Sequence, residues 1–69
     1  QNKMDKNIKK IIILDFNSTV THVFDFNENL YSSEEIENFL DAINNEYDLY
    51  LKESECQWMI TNELKLKIH

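Results

Sequence analysis

The apolar pattern is densest over residues 10–26, KIIILDFNSTVTHVFDF, which reads as two extended runs joined by a polar turn. Ile11 to Leu14 is an unbroken run of branched aliphatics. Branching at Cβ stiffens χ1, and branched side chains pack well on a pleated surface, so the run predicts a strand. Asn17-Ser18 then supplies residues that bond to nearby backbone and tolerate turn dihedrals. Thr19, Val20, Thr21, Val23, Phe24 and Phe26 resume the strand pattern, and an antiparallel hairpin follows. An Asn-Ser turn fixes the register only to within a residue or two, which leaves open whether Asp15 and His22 lie side by side.

Beyond the Asn27-Glu28-Asn29 loop the period changes. Ser32 with Glu35 three residues on makes a capping box, and Tyr31 is placed to pack on Ile36 as a hydrophobic staple, so a helix is expected to start there. Glu34, Glu35 and Glu37 suit the positive end of its dipole. Ile36, Phe39, Leu40, Ile43 and Tyr47 form one stripe at 3.6-residue spacing, with Glu37, Asn38, Asp41 and Asn45 opposite. The helix ends at Asn44 or Asn45, or runs on through Tyr47. Residues 48–55 read either as a last helical turn or as a loop. CQWMIT (56–61) has the bulky apolar content of a third strand, and Asn62-Glu63 can turn it. Leu64, Leu66 and Ile68 then alternate with Lys65, Lys67 and His69, which predicts a half-buried fourth strand.

The fold class expected is α+β, a small antiparallel sheet in the order β-β-α-β-β with one amphipathic helix packed on one face. An order β-α-β-β results instead if CQWM is irregular. Residues 1–9 are expected as a loosely ordered tail and 10–69 as a single domain. This sheet has more apolar surface than one helix can hide. Ile12 and Leu14 project to one side of it and Ile11 and Ile13 to the other, while Trp58 and Ile60 oppose Met59. Either a partner covers the second face, by self-association through that face or through a terminal strand edge, or residues 48–55 and the N-terminal tail fold over it. Candidate interaction residues are Trp58, Met59, Ile11 and Ile13, together with Glu37 and Asp41 on the acidic helix face.

Composition sharpens this picture. At 69 residues the chain is near the lower limit for a self-sufficient core, and its one cysteine excludes an internal disulfide, so oligomerisation is the remaining common way to enlarge the core. There is no Gly, no Pro and no Arg. Positive-φ positions therefore fall to Asn or Asp, with Asn17, Asn27, Asn29, Asn44, Asn45 and Asn62 as candidates. The formal charge of −6 disfavours direct binding to nucleic acid. A lone thiol, with neither a signal-peptide pattern nor an apolar run long enough to span a bilayer, leads to the expectation of a cytoplasmic protein that makes no membrane contact.

Little in the chain looks like chemistry. His22, His69, Asp15, Asp25 and Cys56 are the only metal or acid–base set, and none share a ligand-type spacing, so no catalytic residue, metal or cofactor is assigned. Without Gly there is no phosphate-binding loop. Residues 11–19, IIILDFNST, resemble the first motif of the haloacid dehalogenase phosphatases, an apolar strand ending in Asp-x-Asp-x-Thr. Asn17 stands where that family carries its second acid, and the chain is too short for the family's doubly wound domain. KIIILDFNSTVTHVFDF and CQWMITNELKLKIH together resemble a pattern found in short uncharacterised open reading frames of bacterial mobile elements and phages. That resemblance implies a setting and no reaction.

The function expected is a non-enzymatic protein-binding or accessory module that self-associates as a homodimer. Two alternatives stand beside it. Glu34, Glu37, Asp41 and Asp48 form a line of carboxylates that would let the chain mimic nucleic acid and inhibit a basic protein. His22 with Asp15 or Asp25 would serve a small hydrolase or a metal-dependent enzyme.

Overall fold

A computed structural model describes residues 8–69. What the sequence predicts for residues 1–7 lies outside the described residues. The element order is β1 (Ile8–Asp15), β2 (Val20–Asn27), α1 (Ile36–Tyr47), a 3-10 turn (Glu53–Glu55) and β3 (Cys56–Thr61). The three strands form one antiparallel sheet in the order β2-β1-β3. Ile8 and Lys9, expected in the tail, are the first residues of β1.

The hairpin forms where the branched run predicts it, and the register pairs Ile13 with His22 and Asp15 with Val20. On the other side of β1, Ile13 faces Trp58 and Asp15 faces Cys56. Directly paired residues of an antiparallel sheet share a face. One face therefore carries Ile11, Ile13 and Asp15 with His22, Phe24 and Phe26 and with Cys56, Trp58 and Ile60. The helix stripe Ile36, Phe39, Leu40 and Ile43 buries against it, and Ile11, Ile13 and Phe26 are wholly enclosed. Phe39 is the hub, with its ring centroid 5.1 Å from that of Phe26, 5.2 Å from Tyr31 and 6.2 Å from Phe24.

Ser32 does not cap the helix as expected. Its Oγ accepts the Glu34 N–H at 3.1 Å, while the Glu35 N–H bonds to the Ser32 carbonyl, so the serine builds a turn and the helix starts at Ile36. Short hydroxyl side chains compete for nearby amides in this way. At the other end the helix runs through Tyr47 and stops at Asp48, which takes the left-handed conformation at φ 58°. Residues 49–52 form a loop whose Leu51 is buried in the core, so this stretch covers the helix side of the sheet and leaves the other face open.

The predicted fourth strand is absent, which corrects the order to β-β-α-β. Residues 64–69 carry no strand or helix. The favoured two-residue hairpin turns need positive φ at the first central position or at both, and neither Asn62 nor Glu63 takes it. Thr61 instead closes a local turn, its Oγ1 donating to the Glu63 carbonyl at 3.1 Å and accepting the Glu63 N–H at 3.3 Å.

The β1–β2 turn stores strain. Thr19 sits at φ 62°, a region where a β-branched residue is an outlier costing roughly 1–2 kcal/mol. A chain without Gly must fill this position with something else, and here it is Thr in place of the Asn or Asp expected. Thr19→Gly should raise stability by about 0.5–1 kcal/mol, the relief of strain exceeding the extra chain entropy of Gly. The urea midpoint checks this, and a lower midpoint would show that the bond from the Thr19 hydroxyl to the Ser18 carbonyl outweighs the strain.

Candidate functional site

The strand period that packs Ile11 and Ile13 under the helix sends the intervening residues to the opposite face. There Ile12 and Leu14 of β1 meet Val23 of β2 and Met59 of β3, with Ile12 paired to both Val23 and Met59. Leu14 is 41% exposed, Val23 43% and Met59 59%, and no helix or loop among the described residues lies over them. Ile12, Leu14, Gln57, Trp58 and Met59 line a hollow of about 180 Å³. One end of the patch is polar, where Lys10 Nζ sits 2.6 Å from Asp25 Oδ1 across the β1–β2 pair.

The geometry sorts the expected interaction residues. Met59 lies on the open face. Trp58 points to the helix side and packs half-buried against the core. Ile11 and Ile13 are fully buried core residues, so their place in an interaction surface passes to Ile12 and Leu14. This is a correction of parity, since one step along a strand exchanges the faces. Glu37 and Asp41 are exposed on α1. Glu34 lies in the turn before the helix and Asp48 is its left-handed cap, so the helix itself carries only two of the carboxylates expected to align.

Asp15, at the end of β1, is the only buried charged residue among those described. Its carboxylate is occupied locally, taking the Ser18 hydroxyl at 2.7 Å on Oδ2 and the Asn17 N–H at 3.0 Å on Oδ1. This is an Asx turn closing the hairpin. The Ser18 bond above all holds the Asp15 carboxyl below its usual 3.8, against burial that raises it, with Asn17, the Ser18 amide and His22 adding to the lowering. A carboxylate depressed in the folded state stabilises fully above pH 3.8, and that contribution is lost as pH falls through the lower folded value. Asp15→Asn should therefore flatten the acid limb of the thermal transition below pH 4. An unchanged slope would show that the Ser18 and Asn17 bonds do not favour the charged form.

His22 and Asp15 share the helix-side face, two residues out of direct register, and His22 stacks on Phe24 with centroids 5.8 Å apart. Asp25 lies three residues from His22 and on the other face, paired to Lys10, so the register separates the His22–Asp25 pair that a hydrolase would use. A cleft of about 370 Å³ joins Asp15, Ser18, His22 and Asp48 at the turn end of the sheet. The Ser18 hydroxyl donates to one Asp15 oxygen and the Asn17 N–H to the other, so both are engaged in the turn, and among the described residues no hydrogen bond joins His22 to either side chain. Burial, with Asp15 opposite across the strand pair, pushes the Cys56 thiol above 9.0, away from the thiolate. Among the described residues no group of His, Cys, Asp and Glu is placed to hold a metal ion, and no helix is long and apolar enough to cross a membrane.

The residue that sequence reasoning missed is Asn44. It appeared as a turn or cap candidate, whereas its side-chain amide brackets the Leu51 backbone with two 2.9 Å hydrogen bonds. No family model, no curated protein and no solved structure matches the chain.

Proposed function

We propose that this protein is a non-enzymatic binding module that self-associates, and that it docks through the open face of its sheet. One observation carries the reading. Ile12, Leu14, Val23 and Met59 form a contiguous apolar patch across three strands of a domain whose helix is committed to the opposite face. Contiguous apolar surface of this kind marks an interaction site, and a chain this small gains most from enlarging its core through a partner. The hollow between Ile12, Leu14 and Met59 suits an apolar side chain from the other copy. A helix without a complete carboxylate line, and a buried Asp15 already satisfied by its own turn, leave less room for the nucleic-acid mimic and for the hydrolase.

Sedimentation velocity across the micromolar range tests the reading. A concentration-dependent shift above 8.3 kDa is expected, and Leu14→Lys with Met59→Lys should abolish it with the thermal transition of the monomer kept. A species of 8.3 kDa at every concentration overturns the proposal.

A further inference from the structure

The segment after β3 is written as a strand and has no strand partner. Leu64, Leu66 and Ile68 alternate with Lys65 and Lys67, and the three apolar side chains are 42%, 78% and 87% exposed. An extended, alternating segment of this kind hides its apolar row when it adds to a sheet edge. The sheet offers two edges, the outer sides of β2 and β3.

Charge and shape separate them. Beside β2 a groove of about 420 Å³ opens between the strand and α1, walled by Phe24, Leu30, Tyr47 and Glu46. A strand added there with its apolar row toward the helix would place Leu64, Leu66 and Ile68 against Phe24 and Tyr47. Its lysines would then fall on the opposite face, where β2 presents the exposed Asp25. Opposite charges on neighbouring strands attract, and although Asp25 takes the Lys10 ammonium on Oδ1, its side chain is exposed and Oδ2 remains for an incoming lysine. The corresponding face of β3 offers Gln57, Met59 and Thr61, none of them acidic.

The chain's own segment does not reach that edge. Thr61 and Asp25 both pair with Lys10, so β3 and β2 flank β1 at this level, and the outer side of β2 lies three strand spacings from β3, about 14 Å. Asn62 is held beside β1 by the Lys9 ammonium at 2.7 Å, and the single residue Glu63 spans about 3.5 Å before Leu64. A second copy meets no such restriction. We propose that residues 64–68 of one copy add as a fourth strand to the free edge of β2 in another, with the apolar row in the groove and Lys65 and Lys67 on the Asp25 side. This rests on the self-association proposed above and names a second contact that serves it.

Backbone hydrogen exchange on the full chain, above and below the association concentration, tests the strand exchange alongside sedimentation of Leu66→Asp. Expected are slowed amides in residues 20–27 and 64–68 together on association, and at least a tenfold weaker dimer for Leu66→Asp with the monomer's melting temperature retained. Asp25→Lys should weaken the dimer as well, and Lys65→Glu with Lys67→Glu should restore it. An association that Leu66→Asp leaves intact, or one that slows amides in 56–61 or in neither edge strand, overturns the strand exchange and leaves the sheet-face reading standing. A chain that is monomeric throughout overturns both.

Discussion

Truncating Phe39 to Ala is expected to bring the domain to the edge of unfolding at room temperature. Phe39 is buried and its ring meets those of Phe24, Phe26 and Tyr31, so it joins the helix to β2 and to the loop that follows it. Phe→Ala in a close-packed site costs about 3–5 kcal/mol, the lost transfer energy adding to the cavity left behind. Domains hold roughly 0.05–0.15 kcal/mol per residue, so a chain of 69 residues has only about 3–10 kcal/mol in total. The control is on the other face, where Met59→Ala should change monomer stability by less than about 0.5 kcal/mol because its side chain leaves no cavity. Urea denaturation below the association concentration measures both. A Phe39→Ala midpoint close to wild type would mean that the helix does not depend on the sheet face assigned to it.

That contrast between Phe39 and Met59 also shows what the sequence could say and what it could not. The branched run at Ile11–Leu14 and the stripe Ile36, Phe39, Leu40 and Ile43 are local patterns, and the strand and the helix form where the patterns predict them. The surplus of apolar sheet surface was legible for the same reason, since Ile11 to Leu14 must project to both sides. Which side the helix takes depends on contacts between distant segments, and nothing within four consecutive aliphatics marks Ile11 and Ile13 as inner and Ile12 and Leu14 as outer. The segment 64–68 misled because alternation reports a capacity to pair, whereas pairing with β3 also needs a hairpin turn, and Asn62-Glu63 is taken up by the local turn that Thr61 closes. Ser32 misled because one hydroxyl can serve a cap or a turn: a bond to the amide two residues on occurs in both, and only the backbone path, which starts the helix at Ile36, separates them.

The second large effect is expected at Asn44, where a polar residue holds an apolar one in place. Leu51 is buried, and its N–H and C=O lie outside any strand or helix, so both would lack partners without the Asn44 side chain. An amide donates and accepts at once, which is why Asn matches a backbone segment and a residue of similar volume such as Leu does not. Asn44→Ala leaves a buried donor and a buried acceptor unpaired, each costing roughly 1–3 kcal/mol less whatever water recovers, so about 2–4 kcal/mol is expected. Asn44→Asp keeps the acceptor for the Leu51 N–H but sets a carboxylate against the Leu51 carbonyl, and should be no milder at neutral pH. The Leu51 amide is the local reporter: protected from exchange in the wild type, it should exchange freely in Asn44→Ala while the amides of β1 keep their protection relative to global unfolding. If Leu51 remains protected in that variant, the loop is held by its buried side chain alone and the amide bracket is a consequence of that burial.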